Sequence, residues 1–201
     1  MLLDVDDSQL VLVDYQSRLM PSIHESGLVL ANALRLARLA KLLEVPAWGT
    51  EENPEGLGEN PPELKALCRK TLPKMSFSAV ADGLVDLLRA PVRQQGGNAR
   101  SLPKHLQKPQ QAPDQRNTIV MAGCEAHVCL LQTSLDLLEE EFDVWVVTDA
   151  CSSRSERSRD AAFDRLAAAG AELVTTEMVA FEWLRTADHE SFRDALRIIK
   201  E

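Results

Sequence analysis

The stretch Leu10-Val11-Leu12-Val13 is a continuous apolar run that ends at Asp14. Continuous rather than alternating hydrophobicity predicts a strand buried on both faces, as in a parallel sheet. Over 28–44, leucines recur three and four apart with Arg35, Arg38 and Lys41 between them, the pattern of an amphipathic helix. A strand over 45–50 precedes a loop rich in Asn, Pro and Gly (53–62), then a short helix near 62–70. The second half repeats the alternation: strands at 118–122, 144–147 and 171–174, with helices near 126–141 and 154–169 between them. Gly170 is a natural stop for the second of these helices, and helices near 176–185 and 188–199 close the chain. This order predicts one α/β domain over 1–201, a three-layer α/β/α doubly wound parallel sheet of about six strands in Rossmann-like order. Ligands of such sheets bind beyond the carboxyl ends of the strands. The positions to test are therefore Asp14, Thr50, the turn 123–129 and Asp149.

One segment breaks the pattern. Residues 89–116 hold six Lys/Arg, one Asp, six Gln and four prolines, a net +5, so the rest of the 201-residue chain carries −14 of the total −9. Lacking apolar periodicity, this stretch predicts an exposed insertion between a helix and the next strand, with a lid or a tether to a neighbouring subunit as the other readings. The acidic balance disfavours nucleic acid as a main partner. No apolar run reaches the length of a membrane span, and the first residues lack the features of a signal peptide, so a cytoplasmic protein is expected. Four cysteines (68, 124, 129, 151) without C-x-x-C spacing are expected as free thiols.

The turn Gly123-Cys124-Glu125-Ala126-His127-Val128-Cys129 joins a buried strand to a helix. Cys129 is then expected in the first helical turn, where unpaired N–H groups and the helix dipole favour a thiolate and the same N–H groups can cradle an oxyanion. Asp14, at the same sheet edge, can take a thiol proton and later activate water. Lys74, flanked by Leu72, Met75 and Phe77, is expected to be partly buried and to need a carboxylate partner, for which Asp14 is the candidate. Each has a plainer reading alone: Cys129 as a small buried hydrophobe, Asp14 as a turn former, Lys74 as a surface lysine.

In this order V-L-V-D-Y-Q, L-P-K-M-S-F-S-A and M-A-G-C-E-A-H-V-C-L-L-Q-T-S-L-D-L-L resemble the isochorismatase-like cysteine hydrolase superfamily, nearest its small isochorismatase-domain proteins. The resemblance runs over nearly the whole chain, including T-E-E-N-P-E-G-L-G-E-N-P-P-E-L and D-V-W-V-V-T-D-A-C-S-S-R-S; the insertion looks foreign. It implies a catalytic triad of Asp14, Lys74 and Cys129. It also implies a cis, non-proline peptide at Cys124–Glu125, and an oxyanion hole from the N–H groups of Glu125 and Cys129. Gln16 is expected to orient Asp14 or to cap its loop, and Leu19, Phe77 and His127 are expected around the substrate.

Departures from the family pattern matter as well. Metal-binding relatives use an Asp and several His after the second strand, whereas here no His occurs between His24 and His105 and the loop reads Glu51-Glu52-Asn53. Neither a metal nor a cofactor is therefore expected. Retention of Cys129 argues for amide or ester chemistry. The function implied is a cysteine hydrolase cleaving a small-molecule C–N bond through an acyl-thioester. In it Asp14 accepts the thiol proton, and Lys74 holds Asp14 ionised and helps to bind the transition state. A homo-oligomer is expected, with apolar Phe181, Trp183 and Leu184 as contact surface. Two other classes stay open: a silent binding or scaffold member, and a thiol redox sensor using Cys124 and Cys129.

Overall fold

The computed structural model describes residues 1–90 and 116–201, so all but the two edges of the 89–116 insertion lies outside the described residues. Six parallel strands form one sheet in the order β3-β2-β1-β4-β5-β6: β1 (Ser8–Val13), β2 (Ala47–Glu52), β3 (Lys70–Lys74), β4 (Thr118–Gly123), β5 (Asp143–Val147) and β6 (Glu172–Val174). Every residue of β1 and β4 is buried, the expected outcome for central strands covered by helices on both faces. At the edge, β3 is exposed or half-buried up to Lys74, which is buried, and it carries Pro73. Its missing N–H is tolerated there, and its lack of an apolar run is why periodicity did not mark it.

The helices are α1 (Ser26–Leu42), short turns α2 (Pro54–Leu57) and α3 (Pro62–Lys65), α4 (Leu84–Arg89), α5 (Leu131–Glu139), α6 (Glu156–Ala168), α7 (Thr176–Leu184) and α8 (Phe192–Lys200). Ser155 caps α6 through the Ser158 N–H and Thr175 caps α7 through the Met178 N–H. Gly170 ends the α6 segment at φ 102°, where a side chain would be strained. Asp149 proves structural: its Oδ1 accepts from the Thr176 N–H and hydroxyl at 2.8 and 3.0 Å, fixing the start of α7.

Trp183 and Leu184 are both 1 % exposed, so they belong to the core and not to a free surface; Phe181 does stay exposed. None of the described helices is long and apolar enough to cross a membrane.

The order of strands reverses between β1 and β4, which pair from Ser8–Thr118 to Val13–Gly123. There the two backbones come so close that a Cβ on Gly123 would lie 2.3 Å from the Val13 carbonyl oxygen. Only glycine fits. Immediately beyond this contact lie Asp14 and Cys124, at the crevice where a doubly wound sheet places its ligands.

Candidate functional site

Asp14 ends β1 in the left-handed region, φ 54°, a conformation that Asp tolerates better than most residues. Its side chain is wholly buried. Oδ1 accepts from the Thr50 hydroxyl at 2.6 Å, and Oδ2 faces the Lys74 ammonium at 2.9 Å. That contact is an ion pair, and Oδ2 has no aligned hydrogen-bond donor among the described residues.

Lys74 ends β3, two strands away, with its ammonium fully buried. Nζ lies 2.7 Å from Glu52 Oε2 at the end of β2, and donates to the carbonyls of Ser76 and Phe77 at 3.2 Å each. Burial works to lower the pKa of this ammonium, but Asp14 and Glu52 outweigh it and hold the proton beyond the ordinary lysine range. Four oxygens thus surround three N–H bonds, leaving none to bind a transition state directly, contrary to the sequence-based expectation.

Cys129 lies in a π-helical turn, Ala126–Leu130, that precedes α5. Asp14, Glu52 and Cys129 bring a carboxylate oxygen each and Sγ within 4.8 Å of one another. The expected thiolate at a helix start is not what this environment favours. Burial pushes the Cys129 thiol far up, the Asp14 charge adds to this, and Lys74 only partly opposes it. The surroundings of Cys129 thus favour its thiol form.

The Cys124–Glu125 peptide is cis. Among the described residues no acceptor takes the Glu125 N–H, while the next one, of Ala126, donates to the Ser152 carbonyl at 2.8 Å. The buried Glu125 carboxylate receives Arg154 Nη2 at 2.7 Å, Nε at 3.0 Å and the Arg154 N–H at 2.9 Å. These hydrogen bonds hold its carboxyl below the ordinary range.

The other expected pocket residues divide. Gln16 does not orient Asp14. Its amide clamps the neighbouring loop, donating to the carbonyls of Glu52 (2.8 Å) and Gly58 (2.6 Å) and accepting from the Glu52 N–H (2.9 Å). Phe77 meets Lys74 through its carbonyl, and the residue is 53 % exposed. His127 Nδ1 pairs with Ser153 Oγ at 2.9 Å, and Leu19 is half-buried against the core. Cys124 is fully buried, its thiol pushed up to about 12 mainly by burial, as befits a packing residue. Sequence reasoning missed Glu52 as a member of the constellation. Its position at a strand's carboxyl end, two residues after Thr50, was the available signal.

A metal fits this cluster poorly. The three donors could reach one ion, but the Lys74 ammonium already sits between the two carboxylates at 2.9 and 2.7 Å, and a second cation there would face it directly.

The isochorismatase domain family matches residues 8–178 of the chain. The protein is a member of the isochorismatase family of hydrolases. The mouse isochorismatase domain-containing protein 2A is 35% identical over 196 residues, covering 98% of this chain and 84% of the relative. Among solved structures, the fold is similar to that of the MAR1 ribonuclease from Caenorhabditis elegans, with a TM-score of 0.83 and 29% identity over 100% of this chain and 93% of that one. YcaC from Pseudomonas aeruginosa, solved with hexane-2,5-diol and covalent acrylamide, gives a TM-score of 0.81 and 27% identity over 98% and 91% of the two chains. The Escherichia coli YcaC product, described as an octameric hydrolase of unknown specificity, gives 0.78 and 26% over 100% and 95%. The six-stranded parallel sheet flanked by helices described above is thus the fold of an isochorismatase-family chain, similar overall to these structures.

Proposed function

We propose that the protein is a cysteine hydrolase that cleaves a small amide-type C–N bond, with Cys129 as nucleophile, Asp14 as acid–base and Lys74 as the cation that holds Asp14. The observation that carries this reading is the convergence of a buried thiol, a carboxylate and an ammonium from three distant stretches of chain at the switch between β1 and β4. Asp14 Oδ2, free of aligned donors, takes the Cys129 proton as Sγ attacks the carbonyl carbon. The N–H groups of Glu125 and Cys129 face the oxyanion that forms. Collapse breaks the C–N bond, and the leaving amine receives the proton from Asp14. A water then gives a proton to Asp14 and attacks the thioester, which collapses to carboxylic acid while Sγ regains its proton.

The acrylamide held covalently by the P. aeruginosa neighbour supports a reactive nucleophile on this fold. The octamer named for the E. coli neighbour, together with exposed Met75, Phe77, Met178 and Phe181 here, supports a homo-oligomer. Ribonuclease activity is not carried over. The strand ends and the α2–α3 segment beside them hold five carboxylates (Asp14, Glu51, Glu52, Glu59, Glu125) against Lys65, Lys74 and Arg154, a poor setting for phosphates.

The test is a panel of small amides, ureas and esters, followed by intact-mass detection of an acylated protein and by product release. An adduct mapped to Cys129 and absent in Cys129→Ala is expected. Turnover that survives Cys129→Ala would refute the reading, and a Cys129 that accepts no acyl group from any member would assign the chain to the non-catalytic binding class.

A further inference from the structure

We propose that Glu52 sets the charge class of the substrate, so that the site takes neutral or cationic amides and excludes acyl groups carrying a carboxylate. The proposal rests on the reading of Cys129 as nucleophile and deepens it. Two buried carboxylates share one ammonium in this cluster, which leaves it with a net negative charge. Glu52 and the carbonyls of Ser76 and Phe77 take the three N–H bonds of Lys74 and Asp14 faces it as an ion pair, so an anionic substrate finds no free donor on this buried ammonium.

The neighbouring ion pairs do not reverse this balance. Lys65 lies between Glu51 at 3.3 Å and Glu59 at 2.8 Å, again one cation to two acids. Arg154 is matched by Glu125. Arg18 gives Nη1 to the carbonyls of Glu55 and Gly56. Because both cluster carboxylates lie within 4.8 Å of Cys129 Sγ, any charge next to the carbonyl under attack is felt by them through little water. Specificity here comes from an unpaired repulsion against the wrong substrate. Glu52 is the member free to change: Asp14 is needed for proton transfer, whereas the Glu52 carboxylate is hydrogen-bonded by Lys74 and its backbone by Gln16.

The test alkylates the full-length protein at about pH 8 with iodoacetate, iodoacetamide and 2-bromoethylamine, and follows Cys129 by peptide mass spectrometry. Each rate is divided by that of the same thiol in the urea-unfolded chain, which removes intrinsic reactivity. On this scale iodoacetate should react about tenfold or more slowly than iodoacetamide, and 2-bromoethylamine at least as fast as iodoacetamide. Glu52→Gln should bring iodoacetate to within about threefold of iodoacetamide. Any change in thiol acidity affects all three reagents alike and drops out of the ratio. Equal normalised rates in the wild type, or a ratio unmoved by Glu52→Gln, overturn the proposal and leave Cys129 as nucleophile. The wild-type order decides the matter even if the variant fails to fold. If no reagent modifies Cys129 while half-buried Cys68 is labelled, the nucleophile reading falls and the proposal with it.

Discussion

Removing the buried ammonium while leaving its two acids in place is the sharpest perturbation this site offers. Lys74 Nζ lies 2.9 Å from Asp14 and 2.7 Å from Glu52, with the lysine side chain wholly buried. At an effective dielectric of about 20, each contact carries roughly 6 kcal/mol of Coulomb energy. Most of that offsets the desolvation of the three ions, and taking one partner out of a buried pair has a net cost of about 3–5 kcal/mol. Lys74→Met should therefore lose about that much near neutral pH, well beyond the roughly 1.5 kcal/mol of a volume-conserving apolar swap. For a chain of this size that is roughly 6–20 °C in Tm. Adding Glu52→Gln removes one of the two stranded acids and should recover at least about half of the deficit in parallel thermal and urea unfolding. Turnover should stay lost in both variants, because a buried carboxyl with no cation beside it keeps its proton and cannot take one from Cys129. Acidification should narrow the gap between Lys74→Met and wild type as the stranded carboxyls take up protons. A Lys74→Met protein that melts with the wild type, or a double variant less stable than the single one, would refute the charge argument. Near-normal turnover in Lys74→Met would refute the triad.

Other outcomes follow from the same geometry. Burial pushes the thiols of Cys124, Cys129 and Cys151 up, whereas an unfolded thiol titrates near 8.5. Below about pH 8 neither state releases these protons. Above it the unfolded chain loses them first, so stability should fall by roughly 3 kcal/mol for the three thiols between about pH 8.5 and 9.5; a flat urea midpoint across that window would contradict the burial. Gly123→Ala puts a Cβ 2.3 Å from the Val13 carbonyl oxygen and should cost about 3 kcal/mol or prevent folding, and soluble protein with wild-type Tm would show that the strands can part there without penalty. Gln16→Met strands the Glu52 N–H and the carbonyls of Glu52 and Gly58; a loss of about 2–4 kcal/mol is expected in chemical denaturation, and an unchanged midpoint would mean that water replaces the clamp.

Much of this was legible in the sequence because central parallel strands announce themselves. The apolar runs before Asp14 and before Gly123 are strands in the structure, and the residues just beyond them line the crevice. Less legible was whatever depends on a partner far along the chain. Lys74 could be paired with Asp14 by chemistry, but Glu52 as its second acid required knowing that β2 and β3 end side by side, with Glu52 opposite Lys74 in register. The state of Cys129 was misread for a related reason. A helix start suggests a thiolate, yet the side chain is enclosed beside a carboxylate, and burial together with the Asp14 charge pushes the thiol up. For Gln16 the sequence left two roles open, orienting Asp14 or capping its loop, and its amide does the second, satisfying backbone groups of Glu52 and Gly58. Leu184 read as surplus apolar surface, and Trp183 as core or contact surface, because the packing of α7 against α1 and the bond from Trp183 Nε1 to Ser8 Oγ are defined only by the tertiary arrangement.

The register of β1 with β4 has a consequence for how the protein comes to exist. Val13 is aligned with Gly123, 110 residues later in the chain, and the acid and the thiol stand on opposite sides of that seam. A nascent chain that has completed β1, α1, β2 and β3 already owns Asp14, Glu52 and Lys74 but has no sulfur to place beside them. Pairings of such long sequence separation are slow to close, since loop entropy must be overcome before contacts reward it. Appearance of acylation at Cys129 during refolding would thus clock the joining of the two halves of the sheet, and should lag behind the recovery of helical signal in the far ultraviolet.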